Sequence, residues 1–248
     1  YGVMLGLSLV VGWYLALGLA KRDGLPRETM ANNYVFTAFC AIVGARLLYI
    51  LTNLGEFHTW RDYLSIRSGG LVAYGGFLGG FLGSWYYCWR KEVRLMAWAD
   101  AAVPALASGL LFTRIGCYLF GCDFGKPLAE NAPNWLKRLG TFPEWHYDYR
   151  AGKFLDAAGL QALYADPANR PQILSGAPAW VQHLEPFPQV RDLHHSLPVH
   201  PTQIYESLCG LFLLGVLFLA RKSIKAREAK GETFFRGELF LLFTFGYG

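Results

Sequence analysis

The chain has 248 residues, of which 53% are hydrophobic, 16% aromatic and only 17% charged, against roughly 25% charged residues in soluble domains. That composition excludes an ordinary soluble domain and points to an all-α protein that crosses a membrane several times. The net charge of +5 sits in short loops with no soluble basic module beside them, which argues against nucleic acid and for anionic lipid as the partner.

Apolar segments of helix length run near Gly2 to Ala20, Tyr34 to Thr52, Gly69 to Cys88, Trp98 to Cys122 and Ile204 to Ala220, and a further one starts at Gly237 and stops at Gly248. A spanning helix needs about 20 residues, so the last segment is too short. The chain also opens on Tyr1 rather than Met. Both features suggest a fragment of a bundle with about six to seven transmembrane helices, the last one truncated, and no cleavable leader is recognisable. The expected division is membrane helices over 1-122, an external loop-rich segment over 123-202, and a fifth helix, basic loop and start of a sixth over 203-248.

Orientation follows from basic residues, which favour short cytoplasmic loops. Connections 21-32, 89-97 and 221-236 hold twelve Lys or Arg in 37 residues, whereas 54-69 and 123-202 together hold nine in 96. The first end and the long segment 123-202 are therefore expected outside. That segment carries ten of the twelve prolines, and Lys153 to Ala165 is its one stretch with helical character.

Polar residues in the apolar runs are then informative, because an ionisable group at membrane depth costs about 2.5 to 3.5 kcal/mol on insertion scales. Arg114 is the only charge between Ala101 and Cys122, and it lies roughly 13 Å below the outer end of its helix at 1.5 Å per residue. Arg46 lies roughly 10 Å below by the same rise. Tyr74, Glu206 and Tyr1 fall at the same level by topology. Paired guanidinium forks suit a phosphate, although an arginine this close to a helix end can also snorkel to the interface, and Arg46 could simply pair with Glu206.

In the third segment Gly75, Gly79 and Gly83 recur every fourth residue, a spacing that lets another helix approach closely. Gly69 and Gly70 can instead form a turn whose amides face a head group. The five cysteines show no zinc-type spacing, so no metal is expected and Cys117 and Cys122 read as buried apolar thiols. His194, His195 and His200 read as solvated loop residues, with His200 a possible base.

Taken together, the run Arg114-Ile-Gly-Cys-Tyr-Leu-Phe-Gly-Cys-Asp-Phe-Gly125 resembles the signature of the prolipoprotein diacylglyceryl transferase family. Tyr1-Gly2, Gly44-Ala-Arg46, Gly69-Gly70 with Gly75-Gly76, Asp100 with Pro104, His200-Pro-Thr-Gln-Ile-Tyr-Glu206 and Gly246-Tyr-Gly248 support it in order. Thr113, Cys117 and Tyr74 depart from that pattern, standing where Gly, Asn and His are common.

The resemblance implies transfer of the diacylglyceryl group of phosphatidylglycerol to the lipobox cysteine of a preprolipoprotein, giving a thioether and releasing glycerol phosphate. It implies a multi-pass protein of the bacterial plasma membrane, with no cofactor and its site facing the outer, periplasmic leaflet. Arg114 is then the phosphate clamp, Arg46 a second cation, and Gly69, Gly70 and Gly125 further phosphatidylglycerol contacts. Tyr74 and Tyr1 supply hydrogen bonds and Glu206 orients Arg46 or Arg114. The base stays open between Tyr74 and His200. An inactive lipid-binding relative and a membrane transporter are the alternatives; a transporter more often shows repeats and broken helices near the midplane.

Overall fold

The computed structural model describes residues 2-54, 72-143, 146-148, 153-155, 179-183, 193, 195-232 and 235-247. In chain order its elements are α1 (Gly2–Arg22), α2 (Arg27–Thr52), α3 (Ala73–Arg90), α4 (Leu95–Phe120), α5 (Asn134–Leu139), β1 (His146–Asp148), β2 (Lys153–Leu155), α6 (Ala179–His183), α7 (Thr202–Ala229) and α8 (Glu238–Tyr247). Among the described residues α1, α2, α4 and α7 are long and apolar enough to cross a membrane; α3 has 18 residues and α8 has ten. The protein is thus an all-α polytopic membrane protein. Large apolar side chains such as Phe39, Phe212, Leu219 and Phe245 lie on its exposed surface, the arrangement expected where lipid is the solvent.

The chain forms two compact units, one of Tyr1–Ser8 with Leu110–Gly210 and the other of Leu9–Gly109 with Leu211–Gly248. In the second unit α2 and α3 pack backbone to backbone. A Cβ built on Gly79 would fall on the carbonyl oxygen of Cys40, and one on Gly75 on that of Gly44. The four-residue glycine spacing therefore does the packing expected of it, with Gly44 as its partner on α2. The seam also has a polar rung, since fully buried Asn33 donates to Ser84 Oγ and Cys88 Sγ at 3.3 Å each and accepts from Thr37 Oγ1 at 3.2 Å. Such pairing satisfies groups that hydrocarbon would leave bare.

The expected loop from 221 is helical as far as Ala229, and basic residues of α7 find partners there. Arg221 Nη2 and Lys225 Nζ meet the Asp23 carboxylate at 2.7 and 3.0 Å, tying the end of α1 to α7.

Asp100, on α4, anchors α8. Its carboxylate accepts the amides of Gly237 at 2.6 Å, Leu239 at 3.0 Å and Phe240 at 3.1 Å, so one side chain supplies the acceptors that a helix N-terminus leaves wanting and places negative charge at its positive end. Asp100→Ala should lower stability by about 0.5 to 2 kcal/mol, the usual loss on removing a cap. Thermal unfolding in detergent measures this, and an unchanged midpoint would show that α8 needs no such anchor.

In the first unit the two ends of the segment 123-202 zip together. His200 N–H donates to Lys126 O at 2.9 Å, Gly125 N–H to His200 O at 2.8 Å, Val199 N–H to Gly140 O at 2.9 Å and Ser196 N–H to Phe142 O at 2.8 Å. Phe142, Ala179 and Val199 form a small core with Tyr118 and Phe124 against it. His183 is buried there: its Nδ1 accepts the Leu197 amide at 3.2 Å, and desolvation holds its pKa below the ordinary imidazole value.

One expectation is corrected. Lys153–Leu155 is a strand paired antiparallel with His146–Asp148, not the start of a helix; β-branched and aromatic content was too sparse to announce it, and cross-strand pairing decided it. Residues 156-165, the rest of that stretch, lie outside the described residues.

Candidate functional site

The helix α4 ends in a turn that its sequence makes possible. Gly121 takes φ +82°, its N–H bonds Tyr118 O at 3.1 Å, and Cys122 N–H bonds Cys117 O at 3.2 Å. This is the Schellman pattern, in which a glycine in left-handed conformation closes the helix and brings the residue after it against one five positions earlier. Asp123 follows at φ +57°, uncommon for a residue with a Cβ though tolerated best by Asn and Asp.

That turn delivers Asp123 to Arg114, six residues before the end of α4. Arg114 Nη1 lies 3.2 Å from Asp123 Oδ2, and Arg114 Nε lies 2.6 Å from Glu206 Oε2. Glu206 is carried by the first turns of α7, which Ser207 fastens to α4 by donating to Leu111 O at 3.1 Å. Within this unit Glu206 pairs with Arg114.

The segment Cys122 to Lys126 is clamped from the other side by 200-203. Thr202 Oγ1 donates to Asp123 O at 2.6 Å, and fully buried Gln203 donates through Nε2 to Cys122 O. Gly125 allows the closest approach, for a Cβ there would sit 2.9 Å from both His200 Cβ and Thr202 Cγ2. Its amide is already bonded to His200 O, so Gly125 shapes the turn, and that amide is not left over for a head group. His200 is exposed and its Nδ1 lies 3.3 Å from Tyr205 Oη.

Arg46 and Tyr74 belong to the second unit. Arg46 is buried in α2 with its guanidinium 5.5 Å from the Tyr49 ring centroid, a cation–π distance. Tyr74, in the first turn of α3, is 81% exposed. Tyr1, Gly69 and Gly70 lie outside the described residues.

The sequence reading passed over Asp123, Thr202 and Gln203 as individual site residues. It also missed that Cys117 Sγ, Cys122 Sγ and an Asp123 carboxylate oxygen all lie within 4.8 Å of one another. The five-residue cysteine spacing matches no common zinc pair, and the expectation of two inert thiols followed from that. Gly121 directly after an apolar run was the available signal, because a Schellman turn closes that spacing.

Helices of this length and composition around an arginine held by two carboxylates make this a multi-pass membrane protein with a polar site built on α4 and α7. The chain belongs to the prolipoprotein diacylglyceryl transferase family, whose model matches residues 1–248. It is 33% identical over 187 residues, 70% of the chain, to the phosphatidylglycerol–prolipoprotein diacylglyceryl transferase of Deinococcus radiodurans. Similarly named proteins of Thermus thermophilus and Psychrobacter arcticus are 29% and 28% identical over 95% and 94% of the chain, covering 73% and 72% of those proteins. The chain spans about half the length of other curated relatives it matches, 55% of the Deinococcus protein and 43% of one from Clostridium perfringens.

Proposed function

We infer that this chain is the membrane core of an enzyme that transfers the sn-1,2-diacylglyceryl group from phosphatidylglycerol to the lipobox cysteine of a preprolipoprotein. The observation that carries the reading is Arg114 held by Glu206 at 2.6 Å and Asp123 at 3.2 Å in a chain that belongs to the family throughout. In the reaction the thiolate attacks the glyceryl carbon, the carbon–oxygen bond breaks, and the leaving glycerol phosphate takes up negative charge. A preorganised guanidinium stabilises that charge in a water-poor site.

Two carboxylates around one guanidinium leave a local excess of negative charge, so one of them must yield to a phosphate. Asp123 is the partner that yields. It is 56% exposed and its contact is the longer, whereas Glu206 bonds Nε closely and sets the plane of the fork. The resemblance further implies Arg46 as a second cation and Tyr74 as a hydrogen-bonding group, and His200 is a possible base. The site faces the outer leaflet, where the lipobox cysteine emerges after translocation.

Two measurements on full-length protein test this. A lipobox peptide incubated with phosphatidylglycerol vesicles and enzyme should gain the mass of a diacylglyceryl group on its cysteine. In a variant whose native cysteines are replaced, a cysteine at exposed Ser223 should resist a membrane-impermeant thiol reagent in intact cells, and one at exposed Ala129 should react. Labelling in the reverse pattern, or no mass gain, would overturn the reading.

A further inference from the structure

Just past the end of α4, the first unit carries a polar cleft of about 480 Å³ lined by Asn134, Lys137, Arg138, Thr141 and His195. We propose that this cleft is a second lipid site, apart from Arg114, that captures the phosphodiester head group of an anionic, hydroxyl-bearing phospholipid. That the lipid taken there is phosphatidylglycerol rests on the transferase reading above; the preference for such a head group rests on the cleft itself.

One short amphipathic helix builds most of the cleft. Asn134, Lys137, Arg138 and Thr141 follow the spacing i, i+3, i+4 and i+7, which sets them along one side of α5 and the residue just after it. Trp135 and Leu139, also four apart, are exposed on another side. An exposed tryptophan and leucine beside two cations is the pattern of a helix lying at the membrane–water interface. Its depth agrees, because Tyr118, in the last turn of the spanning helix α4, donates its hydroxyl to Leu139 O at 3.0 Å. The cleft therefore opens at the level where head groups lie.

His195 forms the opposite wall, and the backbone holds it there. Val199 N–H reaches Gly140 O at 2.9 Å, Ser196 N–H reaches Phe142 O at 2.8 Å, and Phe142 N–H donates to Ser196 Oγ at 3.0 Å. The approach is so close that a Cβ on Gly140 would fall on Val199 O. Both walls are thus fixed before a ligand arrives, which lowers the ordering cost of binding.

The lining groups match the parts of such a head group. Lys137 Nζ gives one hydrogen bond to Glu130 O, and an ammonium has three donors. Arg138 is exposed, and its planar fork suits phosphate oxygens. His195 Nδ1 lies 2.8 Å from Ser196 O; a carbonyl only accepts, so Nδ1 carries a proton and the neutral ring keeps Nε2 as an acceptor for a hydroxyl. Thr141 Oγ1 donates to Lys137 O at 2.7 Å, so it too is left to accept, while the Asn134 amide can do either. Two cations and no carboxylate line the cleft among the described residues. A net-anionic head group is therefore favoured, and a zwitterionic one, whose ammonium would meet Lys137 and Arg138, is disfavoured.

Phosphatidylglycerol bearing a photoreactive diazirine on its head group tests binding without chemistry. In phosphatidylcholine nanodiscs, full-length protein carrying Arg114→Ala should be labelled in the peptide that contains residues 134-141. Unlabelled phosphatidylglycerol should compete, and phosphatidylethanolamine should not. Lys137→Gln with Arg138→Gln should weaken this labelling by about tenfold or more, at about fivefold per cation near anionic lipid, and the charge-keeping exchange Lys137→Arg with Arg138→Lys should restore it. With Arg114 in place, the same Gln pair should raise the phosphatidylglycerol fraction needed for half-maximal transfer and leave the KM for the lipobox peptide where it was. The lipid competition decides the matter even if the Gln pair fails to accumulate. No label in 134-141, label indifferent to lipid competitor, or label unchanged in the Gln pair would each overturn the proposal. So would displacement by an equal concentration of free glycerol phosphate, which would make the cleft a site for the soluble product, or a rise in the peptide KM alone, which would make it a polypeptide site. Labelling as expected in a protein that transfers nothing would leave the head-group site standing and sink the transferase reading.

Discussion

Arg114→Lys is expected to lower thioether formation by full-length enzyme at least about tenfold, about 1.4 kcal/mol in the transition state, and Arg114→Ala by about a hundredfold or more, the range for removing a preorganised donor. Lysine keeps the charge but not the fork. Glu206 bonds Nε and Asp123 bonds Nη1, two edges of one planar group that an ammonium cannot reproduce. A coupled prediction separates Glu206's role from a role of its own. If Glu206 acts by orienting Arg114, then Glu206→Gln added to Arg114→Ala should cost little beyond Arg114→Ala alone, because residues in one network are not additive. Initial rates at matched membrane abundance, with phosphatidylglycerol and a lipobox peptide, measure both. Near-normal turnover in the Lys variant would remove Arg114 from the phosphate site, and full additivity would give Glu206 a separate task.

Gly79→Ile should produce the largest loss of stability in the second unit, about 1 to 3 kcal/mol or more, the range for overpacking a close contact. The obstacle is backbone. A Cβ at Gly79 falls on the carbonyl oxygen of Cys40 and within 2.9 Å of Gly44 Cα, so no rotamer change relieves it and α2 must move away from α3. Gly79→Ala should already be damaging. Gly215→Ala is the control, since nothing lies within 4 Å of its added Cβ, and an exposed helical site gains roughly 0.5 to 1 kcal/mol from that exchange. Thermal unfolding in detergent reports both. Equal midpoints for the Gly79 and Gly215 variants would show that the α2–α3 contact is looser than its geometry.

These variants probe features that differ in how they could be read. The spans were legible because bilayer thickness imposes about 20 apolar residues per crossing, a local demand that composition alone reveals. The glycine seam was legible for a similar reason: one side chain every fourth residue lies on one helix face. Arg114 stood out by its cost in hydrocarbon, and family resemblance attached a reaction to it.

Partnership was another matter. That Glu206 meets Arg114 depends on how the first turns of α7 lie against the end of α4, where Ser207 bonds Leu111 O. Asp100 is an ordinary acid in the sequence and becomes the cap of a helix that begins 138 residues later only once α4 and α8 are packed. The strand at Lys153–Leu155 likewise exists through its partner. Cys117, Cys122 and Asp123 look inert at their spacing until Gly121 turns the chain back on itself. The sequence by itself determined the membrane class, the crossing segments and the one costly arginine, because burial in lipid is a local condition on each segment. Only the tertiary structure decided which acid holds that arginine and which donors gather beside it, because those contacts depend on the angle and register of helices distant in the chain.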